Sequence, residues 1–120
     1  MIHIELNTKR HKLTVQGHAE PEECGEYRQI CSAASALAQA MVYAVTRARD
    51  GRLLKGLDYK PDTGDLSAKL YAEDGGDEEM EQIITLYGYG MELLARSHPQ
   101  SIEMVWDGEK IIPYKEMVSK

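Results

Sequence analysis

The sequence predicts an α+β domain of order ββαββαβ, in which one mixed or antiparallel sheet packs against two helices, over residues 1–120 as a single unit. Three observations carry that expectation. Short stretches alternate apolar and polar residues, the period of half-buried strands. Two longer stretches repeat apolar residues every three or four positions, the period of amphipathic helices. Clusters of Gly, Pro and Asp punctuate these stretches, with no internal repeat, low-complexity segment or linker. A chain of 120 residues can bury one core without metal or disulfide staples.

The elements follow in order. Ile2, Ile4 and Leu6 alternate with His3, Glu5 and Asn7, Lys9-Arg10-His11 make a polar turn, and Leu13 and Val15 resume the alternation to Gly17. This is a hairpin, with His18 at the end of its second strand. The stretch around Pro21 and Gly25, with Glu20, Glu22, Glu23 and Glu26, has neither period. From about Gln29, the spacing of Ile30, Ala34, Leu37, Met41 and Val45 predicts a helix that ends near Asp50-Gly51. Arg47, Arg49 and Arg52 suit its negative end.

Leu53 to Lys60 and Leu66 to Ala72 predict a second hairpin around the turn Pro61-Asp62-Thr63-Gly64-Asp65. After Glu73-Asp74-Gly75-Gly76, Asp77 is placed as the cap of a second helix whose first turn holds Glu78, Glu79 and Glu81. Met80, Ile83, Ile84, Tyr87, Met91 and Leu94 form its apolar stripe. Gly88 and Gly90 each cost this helix roughly 1 kcal/mol relative to alanine, either for close packing or for a bend. His98-Pro99 ends it, Ser101 to Trp106 predicts a last strand, and Asp107-Gly108 turns the chain into an unplaced tail.

Composition narrows the function. The formal charge of −6 argues against phosphate-backbone binding and favours a basic protein or peptide as partner. No apolar run reaches the ~18 residues of a membrane span. The alternating start Met1-Ile2-His3-Ile4-Glu5 does not read as a signal peptide, so the two cysteines are expected as reduced thiols in the cytoplasm. A Cys24–Cys31 bridge is the alternative.

Cys31 and His18 are the candidate chemistry. Cys31 is expected in the first turn of the first helix, where unpaired N–H groups and the helix dipole favour a thiolate and offer donors to an oxyanion. His18 leaves a strand end, and the twelve residues 19–30 that join it to Cys31 make a long connection for so small a domain. An imidazole in reach of the sulfur would take its proton and return it to a leaving amine. Against this stands the common case of a cysteine that is only a small buried hydrophobe. His18, Cys24 and Cys31 as zinc ligands, with His3 or His11 as a fourth, lack the paired spacing such sites show, so no metal is expected. His3 and His11 are read as facing solvent or each other, and Trp106 as packing at its strand's end. Gly88-Tyr89-Gly90, inside a helix, lacks the context of a phosphate loop.

The residues Gly17-His18-Ala19, Gly25 and "CSAAS", which is Cys31 to Ser35, resemble the Prp family of ribosomal-processing cysteine proteases. In that family a Gly-His-Ala triplet ends the second strand and a Cys-Ala-x-x-Ser start opens the first long helix; here Ser32 takes the second position. The segment "GEYRQIC" is one residue longer than the family pattern, and Arg28 stands where an acidic residue is expected. Cys24 and the "IIPYKEMVSK" tail are further departures. The resemblance implies a homodimeric cytoplasmic endopeptidase without cofactor. It would remove a short N-terminal extension from a ribosomal protein precursor or, as in phage relatives, process a virion protein. Cys31 would be the nucleophile and His18 the acid–base, supported by Gly17, Ala19, Gly25, Ser32 and Ser35. Ser35 would bond near the thiolate or substrate, or back to its own helix. The other reading is a catalytically weakened binding or assembly protein of the same fold.

Overall fold

The computed structural model describes residues 1–17, 27–62 and 64–118. The strands are β1 (Ile2–Asn7), β2 (Lys12–Gly17), β3 (Leu54–Asp62), β4 (Asp65–Ala72), β5 (Ile102–Trp106) and β6 (Glu109–Lys110). The helices are α1 (Tyr27–Gly51), α2 (Asp77–Ser97) and the short α3 (Tyr114–Val118). The predicted α+β order ββαββαβ is present, and β6 and α3 extend it through the tail that the sequence reading left unplaced.

The sheet is mixed, with strand order β3-β4-β2-β1-β5-β6. Among the described residues, only β1 and β5 run parallel, and every other pair is antiparallel. Register carries the alternation across the sheet. Ile2, Ile4 and Leu6 sit opposite Ile102, Met104 and Trp106 on one side, and Val15 and Leu13 sit opposite Leu66 and Ala68 on the other. One face of the sheet is therefore apolar, and α1 and α2 cover it with Ile30, Ala34, Met41, Val45, Met80, Ile84 and Met91, all buried. The opposite face carries His3, Glu5, Lys12 and Gln16 to solvent.

Several details depart from the sequence expectation for physical reasons. Asp77 is the first residue of α2 rather than its cap; Gly76 occupies the cap position and no side chain closes it. A carboxylate in the first turn still meets the positive end of the dipole, which suits Asp77, Glu78 and Glu79. Regular helix in α1 ends before Ala48, whose ψ is 143°, and Arg49, Asp50 and Gly51 follow with positive φ. Strand β3 runs through Pro61 to Asp62, so the hairpin is tighter than the five-residue turn expected. Proline is tolerated there because β3 is an edge strand.

His11 is not on the surface with His3. It is 7% exposed, adopts φ 53°, and its carbonyl accepts the Leu70 N–H at 2.9 Å, so the β2–β4 pairing draws the turn inward. The two glycines of α2 serve close packing. A Cβ on Gly88 would lie 2.8 Å from Leu6 Cδ2 and 2.9 Å from Trp106, and one on Gly90 would lie 2.9 Å from Leu37 Cδ2. Trp106 packs at the end of β5 as expected, donating its indole N–H to Thr8 Oγ1 at 2.8 Å and meeting Tyr89 edge-on at 5.5 Å.

Candidate active site

One end of the sheet gathers the chemistry-bearing residues. There β2 ends at Gly17, β1 begins at Ile2, the β3–β4 hairpin turns at Gly64, and α1 starts. A shallow cleft of about 40 Å³ lies between them, and Gly17, Cys31, Ser35 and Gly64 all line it. Its floor is apolar, from Ile2, Val15, Ala34 and Leu66.

Gly17 is glycine for two reasons. Its φ is +90°, and a Cβ would overlap the carbonyl oxygen of Met1. A side chain would therefore both strain the backbone and push β1 away. The Gly17 N–H donates to the Gly64 carbonyl at 2.9 Å, which ties the end of β2 to the tip of the neighbouring hairpin. That tip is held from the solvent side as well. Lys60 Nζ lies 2.6 Å from Asp65 Oδ2, and Gln16 Nε2 donates to Asp65 Oδ1 at 3.3 Å. The Lys60 ammonium, then the Gln16 amide, hold the Asp65 carboxyl below its ordinary pKa, and Asp65 in turn raises Lys60. This strut contributes where both groups are charged. Its contribution is present above the usual carboxylate range and fades as pH falls through the lowered Asp65 pKa.

Cys31 is half-buried on α1 and faces the cleft. Its place in the helix corrects the sequence expectation. Because α1 starts at Tyr27, Cys31 is the fifth helical residue, one turn in rather than within the first turn. The orphan N–H groups belong to the turn before it, so its own N–H falls inside the helical ladder, and the dipole effect fades over the same distance. Ser35 follows one turn later on the same face and lines the cleft. Its hydroxyl accepts the Gln39 amide at 2.9 Å, which leaves its own proton to donate. Ser32 is exposed and does not line the cleft.

His18, Ala19, Cys24 and Gly25 lie outside the described residues, as does the 19–26 part of the connecting loop. What the structure fixes is Gly17, to which His18 is covalently joined, in the wall of the cleft that holds Cys31. The sequence reading missed the contribution of the second hairpin, Asp62 and Gly64. Nothing local announces it, because those residues reach the site only through the β2–β4 pairing. Among the described residues, no group of three or more His, Cys, Asp and Glu is placed to hold a metal ion, and no helix is long and apolar enough to cross a membrane.

A half-buried thiol over an apolar floor, on a helix packed against a sheet and beside a strand-end glycine, defines a candidate thiol-enzyme site. The sequence model of the Peptidase_Prp family, described as cysteine protease Prp, matches residues 1–103, and the chain belongs to that family. No curated protein matches the chain. Among solved structures it is similar to the essential ribosomal processing protease Prp from S. aureus. That protein in complex with a substrate peptide is 18% identical with a TM-score of 0.69, over 88% of this chain and 99% of that one. In complex with a covalently linked product peptide it is 16% identical with a TM-score of 0.67, over the same shares. SMU.848 from Streptococcus mutans is 20% identical with a TM-score of 0.62, over 88% of this chain and 90% of that one. At these identities the likeness shows the shared fold.

Proposed function

We propose that this chain is a cysteine endopeptidase with Cys31 as nucleophile and His18 as acid–base. The observation that supports it best is the shared cleft: Cys31 and Gly17, the residue joined to His18, line one wall-and-floor arrangement in a chain of the Prp family. In the proposed reaction, the Cys31 sulfur attacks a peptide carbonyl as its proton passes to the His18 imidazole, forming a C–S bond and an oxyanion. Collapse of this intermediate breaks the C–N bond, and the imidazolium protonates the leaving amine. Water then gives a proton to His18 and attacks the thioester, which releases the carboxylate product and the thiol.

The substrate we favour is a short N-terminal extension on a basic ribosomal protein precursor, with a virion protein as the phage-type counterpart. The charge of −6 supports a basic partner by long-range attraction. Two copies of the chain are proposed to pair. Tyr43, Leu86 and Leu93 stand exposed on α1 and α2, apolar area that a second copy would cover. A cytoplasmic site of action follows from the proposed substrate.

Arg28, in place of the family's acidic residue, motivates the competing reading of a binding or assembly protein with weakened turnover. Incubation with candidate precursors, followed by mapping of new N-termini, separates the two. Cleavage lost in Cys31→Ala supports the peptidase. Stable capture of a precursor without any new terminus, by both wild type and Cys31→Ala, supports the binding role.

A further inference from the structure

A second cavity, of about 330 Å³, opens on the same end of the sheet as the Cys31 cleft. Its walls are Ala95 at the end of α2, Ile102 at the start of β5, and Ile111, Ile112 and Pro113 from the segment that follows β6. That segment is tied down by two hydrogen bonds, Ile111 N–H to the Met104 carbonyl at 2.9 Å and Arg96 Nη1 to the Ile112 carbonyl at 2.8 Å. Ile111, Ile112 and Pro113 lie beyond the matched residues 1–103, so half of this cavity is built by a part of the chain that the family model does not cover.

The register relates the two sites. Ile2 is in the floor of the Cys31 cleft, and its direct partner across the parallel β1–β5 pair is Ile102, in the wall of the cavity. The cleft is lined from β1, β2 and the β3–β4 hairpin and is centred on β2, and the cavity on β5 and β6. Strands are ~4.8 Å apart, so in the order β2-β1-β5-β6 the two centres are separated by roughly two and a half spacings, about 12 Å. An extended peptide advances ~3.3 Å per residue and covers that span in about four residues. The volume lies at the bottom of the ~300–1,000 Å³ range of small-molecule pockets, which suits one large apolar side chain better than a whole ligand.

We propose that this cavity is a remote subsite of the peptide substrate. It takes a large apolar side chain about four residues from the scissile bond, while the bond itself lies over Cys31. The proposal rests on the peptidase reading above. Glu103, Glu116 and Lys110 also line the cavity, a net charge of −1 beside the apolar walls, so the selection there is for apolar bulk and against an acidic side chain.

The test is cleavage of a proteome-derived library of tryptic peptides by the full chain, with every new terminus read by mass spectrometry. The wild type is expected to enrich Leu, Ile, Met or Phe at the third or fourth residue on one side of the cut. Asp there is expected to lower kcat/KM about tenfold or more, the scale of one apolar pocket. Ile112→Asp is expected to erase that preference and leave the preferences next to the cut unchanged. Ile112→Phe, which fills the cavity, is expected to move the preference from Leu toward Ala, and it answers the question if the aspartate variant fails to fold. Wild-type cleavage with no preference at that distance overturns the subsite and leaves the peptidase standing. So does a preference unmoved by Ile112→Phe, or a loss equal for every peptide. Absence of any Cys31-dependent cleavage overturns the peptidase reading, and the subsite with it.

Discussion

The two ends of the sheet are built differently. At the end away from Cys31, polar groups lock the turns to one another. The Thr8 N–H donates to Asp107 Oδ1 at 2.7 Å, and Thr8 Oγ1 accepts from Trp106 at 2.8 Å. Lys9 pairs with Glu81 at 2.8 Å, and Arg49 pairs with Glu79. Among the described residues, the wall of the Cys31 cleft rests instead on one glycine-to-glycine backbone bond, a solvent-side strut at Asp65, and an apolar floor.

Substitutions at the two ends should therefore separate chemistry from stability. The largest effect is expected from Cys31→Ala, with complete loss of cleavage in a precursor assay and a melting temperature close to wild type. Gly17→Ala comes next. Left-handed backbone costs a non-glycine residue about 1–2 kcal/mol, and overlap with the Met1 carbonyl adds ~1–3 kcal/mol. A denaturant titration is expected to show the sum, along with cleavage reduced tenfold or more, because β2 and the site move together.

At the locked end, Thr8→Val leaves the Trp106 indole N–H without its acceptor. That is expected to cost about 1–3 kcal/mol in a chemical melt, with Cys31 alkylation unchanged. An equal loss of alkylation rate would erase the distinction between the two ends. The Asp65 strut predicts a pH signature. Stability differs between wild type and Asp65→Asn near neutral pH, and the difference vanishes as pH falls through the lowered Asp65 pKa. The smallest effect is expected from Asp50→Gly. It relieves a φ of 55° just past the regular part of α1 and is expected to raise stability by under ~1 kcal/mol in a thermal melt.

How much the sequence shows also differs between the regions. The alternation of Ile2, Ile4 and Leu6 and the stripe of Ile30, Ala34, Met41 and Val45 are local periodicities, and the structure buries each of these residues. Gly17 and Cys31 were legible as motif residues. The part played by Gly64 was not, because it depends on which strands pair, and the β2–β4 register is written in no single stretch. His11 misled for a related reason. A polar turn residue reads as exposed until a neighbouring strand closes over it. The start of α1 at Tyr27, which moves Cys31 one turn inward, lacked the periodic apolar residues that mark the rest of the helix.

The account depends on His18 acting on the Cys31 sulfur. The most direct measurement is the rate of Cys31 alkylation by iodoacetamide at pH 7, resolved from Cys24 by peptide mass spectrometry, in wild type and in His18→Ala. The account predicts rapid capture in the wild type and a rate at least tenfold lower in the variant. Equal rates in the two proteins would contradict it.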